Sequence, residues 1–251
     1  MTRVALVQGG SRGVGLALVE ALLARPDVDR VVATSRRPQA SEGLRRVERE
    51  HADALVTLTL DVRDESSIAK ASQDLARLGV ERLHWLVNCA GLLHEGDDLM
   101  PEKRLEDVRS EALRRSFEVN AFGPILVVKH FLPFLRHDER AIVANLSARV
   151  GSIGDNRLGG WYAYRASKAA QNMFTRTLSI ELARRAKNVV CVAIHPGTVD
   201  TALSRPFQRN VPEDKLFDAR RAASQLIAVL DGCTRDQTGS FLAWDGSVIP
   251  W

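Results

Sequence analysis

The chain has 251 residues, 45% hydrophobic and 26% charged, which suits one large α/β domain or two small ones. Its 35 basic and 31 acidic residues leave a formal charge of +4 with no basic block, so neither nucleic acid nor a membrane surface is implied, while a small anionic ligand is welcome. No apolar run approaches a membrane span, and MTRVALVQGG lacks the regions of a secretory leader. Cys89, Cys191 and Cys233 are odd in number and far apart, so they read as reduced thiols of a cytoplasmic protein, and neither they nor the six histidines show metal-ligand spacing.

Strand-like and helix-like segments alternate along the chain. RVALVQ at 3–8 is a short apolar run stopped by Gly9 and Gly10. A helix over 14–24 ends before Pro26, and RVVATS at 30–35 is β-rich. A charged helix over 41–51 follows, then the strand ALVTLTLDV at 54–62 and a helix capped by Asp64. RLHWLVNCAG at 82–91 is a strand ending in glycine; a loop over 92–101 leads to a helical region over 109–135. AIVANLS at 141–147 is the fifth strand, and a helix over 161–185 carries Tyr164 and Lys168. VVCVAIHPG at 189–197, a helix over 218–231 and a short strand near GSFLAW complete the chain. Strands without polar alternation, each followed by a helix, predict a doubly wound, Rossmann-like parallel sheet with helices on both faces, built as a single domain over 1–251.

Ligands of such sheets sit at the carboxyl ends of the strands. After the first strand, Gly9-Gly10-Ser11-Arg12-Gly13-Val14-Gly15 opens a helix, where glycines and free N–H groups suit a pyrophosphate, although the spacing is not G-x-G-x-x-G and a merely structural turn is the alternative. After the second come Thr34-Ser35-Arg36-Arg37. No acid stands between Val31 and Gln39 to take a ribose hydroxyl, and the arginines, with Arg12, suit a 2′-phosphate, so NADP is favoured over NAD. Asp61-Val62 and Asn88-Cys89-Ala90-Gly91 end the third and fourth strands and read either as a cap and a turn or as ligand contacts. Asn120 lies inside an apolar helix, which asks for a backbone partner or a function. Ser147 ends the fifth strand, and Tyr164 and Lys168, four residues apart, share a helix face. An ammonium beside the phenol would lower its pKa and make it a usable proton donor and acceptor; a surface tyrosine with a solvated lysine is the alternative. His195 reads as structural, and Pro196-Gly197-Thr198-Val199-Asp200-Thr201 is a turn at the ligand end.

The ordered set Gly9-x-x-x-Gly13-x-Gly15, Asp61, Asn88-x-Ala90-Gly91, Asn120, Ser147, Tyr164-x-x-x-Lys168 and Pro196-Gly197 resembles the single-domain short-chain dehydrogenase/reductase family. The stretch from Ser147 to Ala170 and the ending SFLAWDGSVIPW resemble its C-factor-like branch, which is similar to the sniffer-type carbonyl reductases.

The resemblance implies an NADP(H)-dependent enzyme reducing a small-molecule carbonyl. Tyr164 would be the general acid, Lys168 its electrostatic partner and ribose ligand, Ser147 the donor to the substrate oxygen, and Asn120 the holder of a helix kink and a water. Gly9, Ser11, Arg12, Gly13 and Val14 would line the phosphates, with Gly15 in the same loop and Ser35 and Arg36 at the 2′-phosphate. Asp61 and Val62 would meet the adenine, Asn88, Ala90 and Gly91 the adenosine side, and Pro196, Gly197, Val199 and Thr201 the carboxamide side. A homodimer or homotetramer built on the 109–135 and 161–185 helices is also implied, and so is the alternative of a nucleotide-binding signalling or scaffold protein. Three departures stand out: Gln8 where threonine is usual, Cys89 inside the N-N-A-G pattern, and GDNRLGG as a small insertion before Tyr164. The weakly periodic stretch 202–217, with two prolines, reads as a substrate lid.

Overall fold

The computed structural model describes residues 3–96 and 98–251; Met1 and Thr2 of the N-terminal run and Asp97 of the 92–101 loop lie outside the described residues. Seven parallel strands form the main sheet: β1 (Val4–Gln8), β2 (Arg30–Ser35), β3 (Leu55–Thr59), β4 (Trp85–Asn88), β5 (Ala141–Leu146), β6 (Val189–His195) and, after two short strands outside this sheet, β9 (Phe241–Ala243). Their order is β3-β2-β1-β4-β5-β6-β9. The order reverses between β1 and β4, which is where doubly wound sheets open a crevice at the strand ends.

The side chains of each strand alternate between two cores. Ala5, Val7, Val31 and Ala33 pack with α1 (Gly13–Leu23), α2 (Glu42–Glu50) and α7 (Ala219–Gly232). Val4, Leu6, Val32 and Val143 pack with α3 (Glu65–Arg77), α5 (Gly123–Leu135) and α6 (Tyr162–Arg185) on the opposite face. Burial on both faces explains why the strands read as continuous apolar runs. Among the described residues no helix is long and apolar enough to cross a membrane.

Two elements depart from the sequence expectation. The helical region over 109–135 is α4 (Ser110–Phe117), a π-turn over Glu118–Phe122, and α5. Pro124 lacks the N–H that an α-helix would direct at the Asn120 carbonyl, and Gly123 N–H reaches back five residues to Glu118 O instead. The 202–217 stretch is closed at its base by a two-stranded parallel pair, β7 (Thr198–Val199) with β8 (Leu216–Phe217), and carries two 3₁₀ turns. Asp64 caps α3 as expected, its carboxylate accepting from Ser66 N.

Candidate active site

The glycine loop between β1 and α1 is fixed by backbone contact. Gly9 has φ +82°, and a Cβ there would stand 2.7 Å from Ala90 N; a Cβ at Gly15 would run into the Gly9 carbonyl oxygen. No side chain caps α1 and no acid stands in its first turn, so its leading N–H groups and positive dipole remain available to an anion. Thr201 comes in from beyond β6, its methyl 3.2 Å from a Cβ on Gly13. Ser11 O accepts from Ser41 Oγ at 2.8 Å, a brace the sequence reading missed. At the end of β2 the buried hydroxyls of Thr34 and Ser35 have no hydrogen-bond partner among the described residues, while Arg36 and Arg37 are exposed.

Asp61 follows β3. Burial opposes its ionisation, but the Arg63 N–H, the Arg63 guanidinium and then Arg36 outweigh that and hold its carboxyl below the usual value. Val62 is buried beside it. The Asn88 side chain donates to Asn145 Oδ1 at 2.7 Å and toward Pro124 O at 3.4 Å, while its own buried Oδ1 has no partner among the described residues. Gln8 takes over the threonine's position with a longer arm: its Oε1 accepts from Ala90 N at 3.1 Å and ties β1 to the turn after β4.

Asn120 is fully buried at the π-turn and clamps the chain after Gly91. It accepts from Leu92 N at 2.7 Å, donates to Leu92 O at 2.8 Å and donates to Ser167 Oγ at 3.0 Å. Ser147, just past β5, is buried and donates to Asn172 Oδ1 at 2.6 Å; Asn172 in turn donates to Gly151 O. Asn172, and not Tyr164, is therefore the partner of the Ser147 hydroxyl.

Tyr164 and Lys168 lie on one face of α6, with Lys168 Nζ 6.0 Å from the phenol ring centroid. Lys168 donates to Leu146 O at 2.7 Å and to Gln171 Oε1 at 3.0 Å. The expected electrostatic lowering of the phenol is overturned: burial pushes Tyr164 up to about 12. The same burial, weakly opposed by Cys89, pulls Lys168 down to about 7. Desolvation dominates both shifts, disfavouring the phenolate and the ammonium alike. Burial likewise raises the thiol of Cys89 and lowers His195 to about 4, so both stay neutral near pH 7.

The buried stripe of α6 is largely polar: Tyr164, Ser167, Lys168, Gln171, Asn172, Thr175 and Ser179 face inward, while Met173 and Ile180 are exposed. Asn145 donates to Thr175 Oγ1 and Thr175 to Gln171 O, so a hydrogen-bonded ribbon runs from Asn88 across β5 toward the lysine. Helical spacing from Lys168 was the available signal for Gln171, Asn172 and Thr175. Trp161 meets Tyr164 edge to face at 6.2 Å and Phe207 of the 202–217 stretch at 5.0 Å. His94 packs on Phe207, and its Nε2 lies 3.0 Å from Ala202 O.

Proteins of known sequence and structure resemble the chain over nearly its whole length. A Schizosaccharomyces pombe protein known as an uncharacterized oxidoreductase is 31% identical over 99% of this chain and 98% of its own. The C-signal of Myxococcus xanthus is 37% identical over 59% of this chain and 83% of its own. Among solved structures, NADPH-bound carbonyl reductase from chicken fatty liver superimposes with a TM-score of 0.87 at 29% identity, covering 100% of this chain and 94% of that one. Carbonyl reductase Sniffer of D. melanogaster gives 0.86 at 28%, covering both chains fully. The profile of the short chain dehydrogenase family matches residues 3–212, and the chain belongs to that family of oxidoreductases, in its C-factor-like and sniffer-like branch.

Proposed function

We propose that the chain reduces a ketone, aldehyde or quinone of small size with NADPH, Tyr164 delivering the proton. The observation that carries the reading is the convergence of buried Tyr164, Lys168 and Ser147 at the ends of β5 and α6, beside an Asn120 set by the π-turn.

The residues present fit a dinucleotide. The Gly9–Gly15 cradle excludes side chains where a pyrophosphate would approach, and the uncapped start of α1 offers N–H donors. The orphaned Ser35 hydroxyl beside Arg36 suits a 2′-phosphate. Gly9, Ser11, Arg12, Gly13 and Val14 would hold the phosphates, Asp61 and Val62 the adenine, Asn88 with Ala90 and Gly91 the adenosine side, and Pro196, Gly197, Val199 and Thr201 the carboxamide side. NADPH in the chicken reductase and NADP in a Burkholderia multivorans relative, 25% identical with a TM-score of 0.81, support this cofactor.

A bound nicotinamide supplies the hydride that forms the new C–H bond. The remaining steps belong to this chain. The carbonyl π pair moves to oxygen, and that oxygen takes the Tyr164 proton. A phenol held near 12 stays protonated throughout the neutral range, as a donor must. Lys168, titrating near 7 in this burial, can return the proton to the phenolate. Ser147 contributes a hydroxyl to the developing oxyanion once it turns from Asn172. The exposed Phe122, Met173 and Ile180 support self-association through the π-turn and α6 as a homodimer or homotetramer.

The test is Tyr164→Phe. Turnover of acetophenone, 4-nitrobenzaldehyde or menadione should fall by about 10²–10⁴-fold, with NADPH affinity held within roughly twofold. Full activity in that variant sinks the assignment. The similarity to the C-signal favours a second reading, a nucleotide-binding signalling role; tight NADPH binding by the unaltered chain with no turnover of any probe would support it.

A further inference from the structure

The catalytic helix begins without a cap of its own. Its N-cap residue, Trp161, is left-handed (φ 53°, ψ 43°) and makes no side-chain cap bond. Gly159 and Gly160 before it also have positive φ, so the insertion enters α6 through three consecutive left-handed residues. Helix starts usually carry Ser, Thr, Asp or Asn in extended conformation, because the leading N–H groups need an acceptor.

Here the acceptor comes from about sixty residues upstream. Glu102 is only 3% exposed, and its Oε2 accepts from Ala163 N at 3.1 Å, on the residue next to Tyr164. Its carbonyl oxygen accepts from Trp161 N as well. The second carboxylate oxygen, Oε1, is buried with no partner among the described residues. An acid buried this deeply for a single side-chain bond is an expensive way to finish a helix, since a burial without full pairing is unfavourable. It is spent on the one turn of α6 that carries the phenol. Arg165 reinforces the same turn, donating to the carbonyls of Gly159, Gly160 and Val150.

The 92–102 segment is thus tied at both ends to the catalytic machinery: Asn120 grips Leu92 and Ser167, and Glu102 grips Trp161 and Ala163. Between those ties, His94 reaches the 202–217 stretch at Ala202. We infer that Glu102 is a positioning residue, whose carboxylate caps the first turn of α6 and so fixes where Tyr164 presents its hydroxyl. Its action runs through the helix start; it need not touch substrate or cofactor. The inference rests on the reading of Tyr164 as proton donor.

Glu102→Ala should lower kcat for the best of acetophenone, 4-nitrobenzaldehyde and menadione by about tenfold or more, because small displacements of a reacting group are amplified in rate. The KM for NADPH should stay within roughly twofold, the split expected when only the chemical step is touched. Glu102→Gln keeps an oxygen for Ala163 N and should recover kcat to within about threefold. Hydrogen exchange over residues 159–166 of the full chain provides a readout independent of turnover: Glu102→Ala should speed it by about tenfold while the rest of α6 stays protected. Unchanged kcat in an active protein, unchanged exchange at 159–166, or equal losses in both variants with a parallel rise in NADPH KM would each overturn the inference. If the unaltered chain turns over none of the probes, the reductase reading falls, while the exchange result still decides whether Glu102 anchors the helix.

Discussion

The two halves of the crevice are built by different means. On the nucleotide side, from β1 to β3, the shape is made by backbone: glycines that admit no Cβ, an uncapped helix start, and a brace from Ser41. On the opposite side, from the 92–102 loop to the 202–217 stretch, it is made by side chains from distant segments: Asn120 on Leu92, Glu102 on Ala163, His94 at Ala202, Phe207 on Trp161. Backbone cradles tolerate almost no substitution at a few positions and are indifferent elsewhere. Side-chain assemblies can exchange parts, which is how one scaffold serves many substrates.

The sharpest way to break this contrast is Gly15→Ala. The new methyl would meet the Gly9 carbonyl, a backbone atom that cannot swing aside. Gly9 itself packs closely on Ala90, so a shift of that loop also reaches the turn after β4. Overpacking of this kind costs about 1–3 kcal/mol or more. NADPH affinity should fall by roughly 10²-fold, since each 1.4 kcal/mol is about a factor of ten. Isothermal titration alongside urea unfolding checks both effects. Near-normal binding in a stable variant would mean that the cradle is not held by backbone contact.

The same contrast explains what was legible in the sequence. The glycine loop, the seven-strand pattern and the Tyr164–Lys168 pair could be read because their requirements are local: a turn that needs glycine, a run buried on both faces, four residues along one helix. Glu102 could not, because one of the three acids in the charged run PEKRLED reads as solvent-facing until the fold sets it under α6. Asn145 is hidden in the apolar run AIVANLS, and Gln171, Asn172 and Thr175 sit in a helix read for Tyr164 and Lys168 alone, although all three follow Lys168 at helical spacing. The direction of the tyrosine shift is not legible in the sequence for a related reason. Proximity along the helix is visible in sequence, whereas the depth of burial that outweighs it is not. The π-turn falls between: Pro124 was visible, but its effect on Asn120 needs the five-residue hydrogen bond to be seen.

Lys168→Met tests whether the side-chain-built half holds its chemistry at the expense of stability. In the ligand-free fold the amine titrates near 7, against 10.5 when unburied. Between those pH values the unfolded chain carries a proton that the folded chain lacks, so stability rises with pH across the window. Below about pH 7 the burial penalty is fully present, on the order of several kcal/mol. Lys168→Met should therefore gain stability relative to the unaltered chain most at pH 6, and the difference should fade toward pH 10. Its loss of the bonds to Leu146 O and Gln171 is a pH-independent offset. Urea midpoints of both proteins across that range decide the matter; a constant difference would mean that Lys168 stays charged in its buried site. Turnover should be lost in the variant at every pH.

Arg36→Asp sharpens the comparison from the other side, because it asks for a side-chain reader inside the backbone-built half. The segment from Val31 to Gln39 has no acid to hold a ribose hydroxyl, and the buried Ser35 hydroxyl beside Arg36 lacks a partner among the described residues. A guanidinium–phosphate contact contributes about 1.5–3 kcal/mol, which corresponds to roughly 10–100-fold in NADPH affinity. NADH, without the 2′-phosphate, should change by no more than about threefold, the remainder coming from charge repulsion between a new carboxylate and Asp61. Arg36→Ala separates the two contributions, since it removes the cation without adding an anion. Parallel binding curves for both cofactors give the discrimination ratio directly. Equal weakening of NADPH and NADH in Arg36→Ala would mean that this arginine supports the loop and does not read the phosphate, and the backbone cradle would then account for nucleotide binding without a specificity element at the end of β2.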